Sequence, residues 1–280
     1  MAYLSLIRLP NCLMAAAGTA VGQFLSPAAD GLGLSAPAMA VSFFVCGFGN
    51  IFNDLNDIEA DRINHPQRAL PSGRLTPGQA KVIGFYFLVI SLILMIWLSN
   101  PGRIIVVVAL MLLIWYNLRL KQTAYWGNLT VSLLGAMTFF QGGAVAGMAG
   151  IMALPGPIIP AVFAFLIHGG REIIKDVEDI AGDIGSGSRT APIRTGSTPP
   201  LIVAHALLSL MMILALSVYF LDWFNLYYLA IIIPLVIIPT VGQMIRLGLS
   251  PDQQTCNRVA TLIKLGMLPG IVALVIGRVY

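Results

Sequence analysis

The chain has 280 residues, of which 58% are hydrophobic and only 10% are charged, and its mean hydropathy is +0.86. Soluble globular domains carry about 25% charged residues, so this sequence has too little charge to cover a solvated surface. A water-soluble enzyme and a disordered chain are therefore excluded. The composition is that of a membrane protein. In such a protein the positions of basic residues indicate orientation in the membrane, so the net charge of +4 does not indicate a nucleic-acid partner.

Stretches without Asp, Glu, Lys or Arg predict where the chain crosses the membrane. A helix needs about 20 residues to cross about 30 Å of hydrocarbon. One stretch is too long for a single crossing and contains Pro155-Gly156-Pro157, which predicts two helices there. The prediction is an all-α polytopic bundle of nine transmembrane helices forming one domain, residues 1–280. The charge-free intervals are 9–29, 31–53, 82–102, 104–118, 122–170, 195–221, 223–245 and 265–277.

The basic residues predict how this bundle is oriented. Nine crossings put the termini on opposite sides, and with the N-terminus inside, every Lys and Arg except Arg103 and Arg278 falls on or near the cytoplasmic face. Such enrichment is the general rule for membrane proteins. Every acidic residue except Asp30 and Asp222 falls on the same face. We therefore expect a cell-membrane protein whose N-terminus and active site lie at the cytoplasmic face.

Small residues recur at the spacing of helix contacts, in Gly18-x-x-x-Gly22 and Gly143-x-x-x-Gly147. Helix association in lipid relies on close approach of backbones, which small residues permit. These pairs predict close helix packing and do not indicate a ligand site.

Two acidic clusters share the spacing D-x-x-D-x-x-x-D, one at the end of the second predicted span and one at the end of the sixth. At 100° per residue, positions i, i+3 and i+7 lie within about 60° of one another, so each cluster presents three carboxylates along one stripe of a helix. A polar residue four positions earlier lies on each stripe. The repeat predicts a pseudo-symmetric bundle. The stripes consist of Asn50, Asp54, Asp57 and Asp61, and of Glu172, Asp176, Asp179 and Asp183.

Three like charges on one helix face repel one another unless a cation neutralises them. Carboxylate oxygens on two facing helices suit Mg²⁺, which commonly bridges carboxylates to the phosphates of a substrate. Basic residues near both clusters supply further donors for a polyanion. The sequence therefore predicts a diphosphate held through Mg²⁺ between the two clusters.

These motifs resemble those of the UbiA superfamily of intramembrane prenyltransferases, and the resemblance covers the whole chain. It implies the UbiA-like fold of nine spans. The matching segments are the N-D-x-x-D-x-x-x-D motif at Asn53 to Asp61, the D-x-x-x-D motif at Asp179 to Asp183 with Asp176 before it, the Arg68-Ala69-Leu70-Pro71-Ser72-Gly73 turn, and Tyr116 to Lys121.

Within the superfamily, Arg8-Leu9-Pro10-Asn11-Cys12-Leu13-Met14-Ala15 and Arg171-Glu172-Ile173-Ile174-Lys175-Asp176 are similar to the branch that makes archaeal ether lipids. The resemblance implies transfer of a geranylgeranyl group from its diphosphate to the hydroxyl of geranylgeranylglyceryl phosphate, which forms the second ether bond. The implied partners are a prenyl diphosphate donor, a prenylglyceryl phosphate acceptor and membrane lipids, with no nucleic acid. The sequence leaves the oligomeric state open.

Two alternatives share parts of this pattern. A UbiA-type enzyme that prenylates an aromatic acceptor, such as 4-hydroxybenzoate, a naphthoate or a chlorin, would use the same donor chemistry. A divalent-cation transporter would also need carboxylates, but it would place them along a path through the membrane and not at one face.

The two clusters and proximity in the sequence also suggest roles for individual residues. Mg²⁺ would be bound by Asp54, Asp57, Asp61, Asp176, Asp179 and Asp183. The diphosphate oxygens would be contacted by Arg68, Lys121 and Arg189. The acceptor head would be held by one or more of Arg8, Asn11 and Lys264. Further substrate-binding candidates are Asn50, Asn53, Tyr116, Glu172 and Lys175, and Phe139, Phe140 and Tyr116 are candidate walls around the allylic cation.

Overall fold

The computed structural model describes residues 2–185 and 187–278, and it is built of helices. Within those residues, extended pairing is limited to two isolated bridges, Thr123 with Arg189 and Phe224 with Arg278. The all-α prediction is confirmed. The helices are α1 (Ala2–Leu6), α2 (Leu9–Phe24), α3 (Ala36–Asn56), α4 (Ile58–Asn64), α5 (Pro77–Leu94), α6 (Asn100–Leu118), α7 (Trp126–Gly143), α8 (Gly147–Met152), α9 (Ile158–Glu178), α10 (Ile180–Gly185), α11 (Ala191–Thr195), α12 (Thr198–Phe220), α13 (Leu226–Ile232), α14 (Ile238–Leu249) and α15 (Gln253–Ile276).

Seven helical segments in the described part of the chain are long and apolar enough to cross a membrane. They correspond to α3, α5, α6, α7 with α8, α12, α13 with α14, and α15. The other two predicted spans are also helical, but α2 has only 16 residues and α9 carries charged side chains in its second half. The polytopic architecture is confirmed, but the predicted count of nine spans is not, because only seven segments among the described residues meet this length and composition.

The helices begin where polar side chains satisfy their first free N–H groups. Ser35 accepts from the N–H of Ala38 at the start of α3, and Ser99 accepts from Gly102 at the start of α6. Thr76 starts α5 with a reciprocal capping box. Such caps stabilise a helix start by about 1 kcal/mol each.

Backbone contact between α2 and α7 forms one wall of the bundle. A Cβ added at Gly22 would overlap the carbonyl of Phe139, and one added at Gly142 would overlap the carbonyl of Thr19. The Thr19 hydroxyl donates to the carbonyl of Thr138 at 3.0 Å. The close packing predicted from Gly22 is therefore confirmed.

The other glycines of the two predicted pairs behave differently from one another. Gly18 packs against Thr138, and Gly143 packs against Pro157 and Gly150, as predicted. Gly147 has φ of +72°, and a Cβ added there would have no neighbour within 4 Å, so its prediction as a contact residue is wrong. It serves a turn between α7 and α8, because glycine adopts positive φ without steric cost.

The two helices that carry the acidic clusters lie inside the bundle. α3 packs against α2, α5 and α6, whereas α9 packs against α7, α12 and α15. The largest buried apolar cluster surrounds α9 and includes Ile174, Leu208 and Tyr228. The fold therefore holds both acidic helix ends between apolar neighbours.

The α2–α7 contact predicts a sensitive position. Gly22→Ala should destabilise the protein by about 1–3 kcal/mol, because the added methyl group meets backbone that cannot move aside. The thermal unfolding midpoint in detergent measures the effect. Gly242→Ala is the matched control, since Gly242 lies within α14 with no neighbour within 4 Å. Equal midpoints for the two variants would contradict this account of the wall.

Candidate active site

The helix that carries each acidic cluster is interrupted at the middle aspartate of that cluster. α3 ends at Asn56, and Asp57 has φ −103° and ψ 7° before α4 begins. α9 ends at Glu178, and Asp179 has φ −94° and ψ 7° before α10 begins. The prediction of a straight carboxylate stripe is therefore wrong, because each third aspartate lies on a separate short helix. The same break at the same position in both clusters supports the predicted internal repeat.

Polar side chains near the first break offer the backbone alternatives to regular helix. The Asn53 amide donates to Asp57 Oδ2 at 2.8 Å, and the Asn56 amide donates to the carbonyl of Phe52 at 2.7 Å. Asparagine and aspartate side chains compete with helical hydrogen bonds in this way, which favours turns over helix interiors. These bonds hold the side chains of the N-D-x-x-D sequence beside the break.

Two arginines neutralise the buried aspartates of the first cluster. Asp54 and Asp61 are 3% and 4% exposed. Arg8 Nη2 lies 2.5 Å from Asp54 Oδ1, and Arg68 Nη1 donates to both oxygens of Asp61 at 2.6 and 2.8 Å. Because a buried carboxylate without a partner is strongly destabilising, these ion pairs fix both arginine side chains at the cluster.

Lys121 pairs with the middle aspartate of this cluster. Its ammonium group donates to Asp57 Oδ2 and lies 3.3 Å from Asn53 Oδ1. Lys121 follows α6, so this contact joins the end of α6 to the break after α3. Three cations thus surround the first cluster.

The partners in the second cluster are different. The Asn128 amide donates to Asp176 Oδ2 at 2.9 Å, and His65 Nε2 lies 3.2 Å from Asp179 Oδ1. Next to them, Glu178 Oε1 accepts from the Asn257 amide at 2.5 Å. Asp176 and Asp179 therefore contact an amide and an imidazole, where their counterparts in the first cluster contact guanidinium and ammonium groups.

The pKa values of the aspartates around the short helices reflect this crowding. Burial, followed by the charge of Asp179, raises the pKa of Asp183 to about 6. Burial also raises the pKa of Asp61 despite Arg68 beside it. Burial opposes ionisation of Asp179 as well, but His65 and Lys175 together hold its pKa below the usual value. The site therefore has carboxylates that gain from additional positive charge.

This donor set fits a divalent metal ion. Aspartate oxygens from two helix ends converge at one place, and carboxylates are the ligands that Mg²⁺ prefers. Asp179 is such a ligand, and the potential ligand atoms of His65 and Glu178 lie within 4.8 Å of it. His65 contacts Asp179 and Glu178 accepts from Asn257, so these two side chains surround the carboxylate.

The clusters meet at a cavity of about 920 Å³, near the upper end of the range for small-molecule sites. α4 packs against α10, which brings the two acidic helix ends to the same end of this cavity. The rest of its wall is mainly apolar and includes Val45, Met137, Phe139 and Phe163. The predicted site residues that line it are Arg8, Asn11, Asn50, Asn53, Asp57, Asp61, Arg68, Tyr116, Lys121, Glu172, Lys175, Asp176, Asp179, Asp183 and Lys264.

Three predicted residues lie elsewhere. Asp54 is buried against Arg8, behind the lining residues. Arg189 is exposed in the loop after α10, where its backbone N–H donates to the carbonyl of Gln122 at 2.9 Å. Phe140 packs on the apolar cluster around α9, whereas its neighbour Phe139 lines the cavity. The predicted contact of Arg189 with a diphosphate is therefore not supported by its position.

Sequence reasoning missed several polar residues that line the cavity: Asn64, His65, Asn128 and Arg171. Arg171 donates through Nε to the carbonyl of Ala260 at 3.1 Å, and it pairs with Glu172. A polar residue within a predicted span, such as Asn128, is a signal that could have been used, since such residues usually face the interior. Asn64 and His65 carry no comparable signal, because their importance arises from the fold.

The arrangement can bind an anionic head group beside an apolar chain. Its polar end offers carboxylates for metal ions and guanidinium and ammonium groups for phosphate oxygens. Its apolar wall can hold a hydrocarbon chain and exclude water. Charged groups in such a dry cavity stabilise developing charge more strongly than they would in water.

Three curated relatives match most or nearly all of the chain, and all are digeranylgeranylglyceryl phosphate synthases. The protein from Methanococcoides burtonii is 35% identical over 98% of this chain and 99% of its own length. The Methanocaldococcus jannaschii protein is 34% identical over 99% and 96%, respectively. The Methanothermobacter thermautotrophicus protein is 32% identical over 86% and 83%.

Solved structures share the fold. A structure of a digeranylgeranylglyceryl phosphate synthase has a TM-score of 0.74 and 33% identity, covering 99% of this chain and 97% of the other. A UbiA homologue from Archaeoglobus fulgidus bound to GPP and Mg²⁺ has a TM-score of 0.65 at 19% identity, covering 98% and 99%. The model of the UbiA prenyltransferase family matches residues 11–267. This chain therefore belongs to the UbiA prenyltransferase family.

Proposed function

We propose that this prenyltransferase transfers a geranylgeranyl group from geranylgeranyl diphosphate to the free hydroxyl of geranylgeranylglyceryl phosphate. The product carries the second ether bond of an archaeal membrane lipid. The observation that carries this proposal is one cavity whose polar end joins two acidic helix ends and whose remaining wall is apolar. Relatives that span nearly the whole chain carry the name of this activity.

The donor diphosphate lies at the polar end. Ionisation of the allylic C–O bond leaves negative charge on the diphosphate, so donors placed there stabilise the transition state more than the ground state. Arg68 and Lys121, which line the cavity beside the first cluster, supply such donors. Mg²⁺ would supply additional charge to the leaving group. The aspartates proposed to hold it are those that line the cavity, namely Asp57, Asp61, Asp176, Asp179 and Asp183.

The allylic carbon lies where the polar end meets the apolar wall. Phe139 and Tyr116 line the cavity and keep water from the reacting carbon, which would otherwise be quenched by hydrolysis. After the bond to the diphosphate has ionised, the acceptor hydroxyl oxygen forms the new C–O bond to the allylic carbon. The departing diphosphate can accept the proton of that hydroxyl.

The acceptor phosphate lies against Lys264 and Arg171. Both line the cavity, and Arg171 contacts the carbonyl of Ala260, one turn before Lys264 on α15. Arg8, predicted for the same role, is held by Asp54 and belongs to the donor end. Two separate basic groups would thus hold the two anionic heads.

We place the polar end of the cavity and the N-terminus at the cytoplasmic face. The basic residues that line this end of the cavity, including Arg8, Arg68 and Lys175, fit the general enrichment of Lys and Arg on the cytoplasmic side. Both substrates carry charged heads and long hydrocarbon tails, so they can enter from the bilayer while their heads stay at this face.

The acceptor assay tests the proposal directly. Purified protein with labelled geranylgeranyl diphosphate and Mg²⁺ should convert geranylgeranylglyceryl phosphate into the diether product, measured by chromatography of the lipid fraction. Parallel reactions with 4-hydroxybenzoate should give no prenylated product. Prenylation of the aromatic acid alone would assign the chain to a different acceptor class.

Aspartates from both clusters are needed for turnover. Asp57→Asn and Asp183→Asn should each lower kcat by about 100-fold or more, because each removes a ligand charge that acts on the leaving group. EDTA should abolish turnover, and added Mg²⁺ should restore it. The matched control is Glu59→Gln, since Glu59 lies in the first motif but is exposed and paired with Arg62. Normal turnover by both aspartate variants would rule out the two-cluster mechanism.

Lys264 should act on the acceptor and not on the donor. Lys264→Met removes an ammonium group that contacts the acceptor phosphate. The KM for geranylgeranylglyceryl phosphate should therefore rise about tenfold, while the KM for geranylgeranyl diphosphate stays unchanged. Initial rates with each substrate varied in turn give both constants. Lys81→Met, on the exposed face of α5, is the control. A rise confined to the donor KM would move Lys264 to the diphosphate.

A further inference from the structure

The side chain of Asn64, the last residue of α4, bonds to the backbone of the second cluster. Its amide donates to the carbonyl of Asp179 at 3.1 Å, and its oxygen accepts from the N–H of Gly182 at 3.0 Å. Gly182 lies in the first turn of α10, where N–H groups lack partners within the helix. One side chain from the first half of the chain therefore closes the helix break in the second half.

Gly182 is shaped to receive this amide. A Cβ added at Gly182 would overlap the Nδ2, Cγ and Oδ1 atoms of Asn64. The amide thus lies flat against the α10 backbone, with no room for any side chain between them. The contact explains why position 182 is glycine, because a helical position without such a neighbour favours alanine.

The next residue, His65, reaches the carboxylate of the same aspartate. Its Nε2 lies 3.2 Å from Asp179 Oδ1, and both side chains are largely buried, at 15% and 19% exposure. Asn64 therefore fixes the backbone at Asp179, while His65 lies beside its carboxylate in an ion-pair contact that is not a hydrogen bond. Neighbouring residues at the end of α4 control two different parts of one break.

We infer that Asn64 and His65 form a positioning pair that sets the second acidic cluster against the first, so that both can bind one metal–diphosphate group. This inference rests on the proposed metal site. Groups that orient metal ligands without touching the metal commonly change its affinity about 10–100-fold when removed. The contacts of Asn64 and His65 join the two halves of the internal repeat, so they also fix the distance between the two acidic clusters.

Binding of Mn²⁺ to the full-length protein in detergent, with inorganic pyrophosphate present, provides a readout that does not require turnover. Electron paramagnetic resonance of free Mn²⁺ gives the affinity. Asn64→Ala and Gly182→Ala should each weaken binding about tenfold or more. The double variant should bind no more weakly than either single variant, because both disrupt the same contact. Asn100→Ala is the matched control, since Asn100 is exposed, bonds to Arg103 and does not line the cavity.

Variants of His65 test the pair without altering the Asn64–Gly182 contact. His65→Ala should weaken Mn²⁺ binding, and His65→Gln should restore it, because the glutamine amide can approach the same oxygen of Asp179. If Asn64→Ala does not fold, this second series decides the question. A merely structural role would lower the amount of folded protein without changing the affinity of the folded fraction.

Asp57→Asn separates this inference from the proposed function. Weaker Mn²⁺ binding by Asp57→Asn together with wild-type affinity in Asn64→Ala and His65→Ala would overturn the positioning pair and leave the metal site standing. Wild-type affinity in Asp57→Asn, Asp183→Asn and Asn64→Ala alike would overturn both.

Discussion

The pairing of buried carboxylates with positive groups is the constraint on which the rest of this structure depends. The protein concentrates aspartates at helix ends surrounded by apolar side chains, where an unpaired charge would cost several kcal/mol. Arg8, Arg68 and Lys121 meet that requirement in the first cluster. Because these residues come from three separate segments, the pairs also bring the start of α2, the turn after α4 and the end of α6 to one place. The charges that prepare the site therefore also assemble it.

Apolar packing performs a complementary task. At Gly22 and Gly142 the contact between α2 and α7 leaves no side chain between the two backbones, so the helices approach closely there. The cavity can then lie inside a small bundle without separating it into two parts. A diphosphate head and a long hydrocarbon tail require opposite environments, and the fold supplies both within one volume of about 920 Å³.

The sequence was sufficient to predict the helices, the membrane class and most residues at the polar end, because charge is so rare here that each acidic cluster is conspicuous. It could not predict the helix breaks at Asp57 and Asp179. No proline lies within either acidic motif, and a continuous helix would also place the aspartates at i, i+3 and i+7 on one face. It also placed Arg189 by its proximity in sequence, whereas in the structure its side chain is exposed and its backbone N–H bonds to the carbonyl of Gln122. Asn64 was beyond reach, because its partners are more than 100 residues away.

The contrast between the two clusters has a consequence for how such a chain can evolve. Both halves retain the same backbone break, but Arg8, Arg68 and Lys121 pair with the cluster of the first half, whereas Asn64 and His65 reach from the first half to the break in the second. If the halves descend from one ancestral unit, the backbone was inherited and the neighbouring side chains diverged. The halves are then no longer interchangeable: a chimera carrying two copies of the second half would lack Asn64 and His65, and with them the contact that joins α4 to α10.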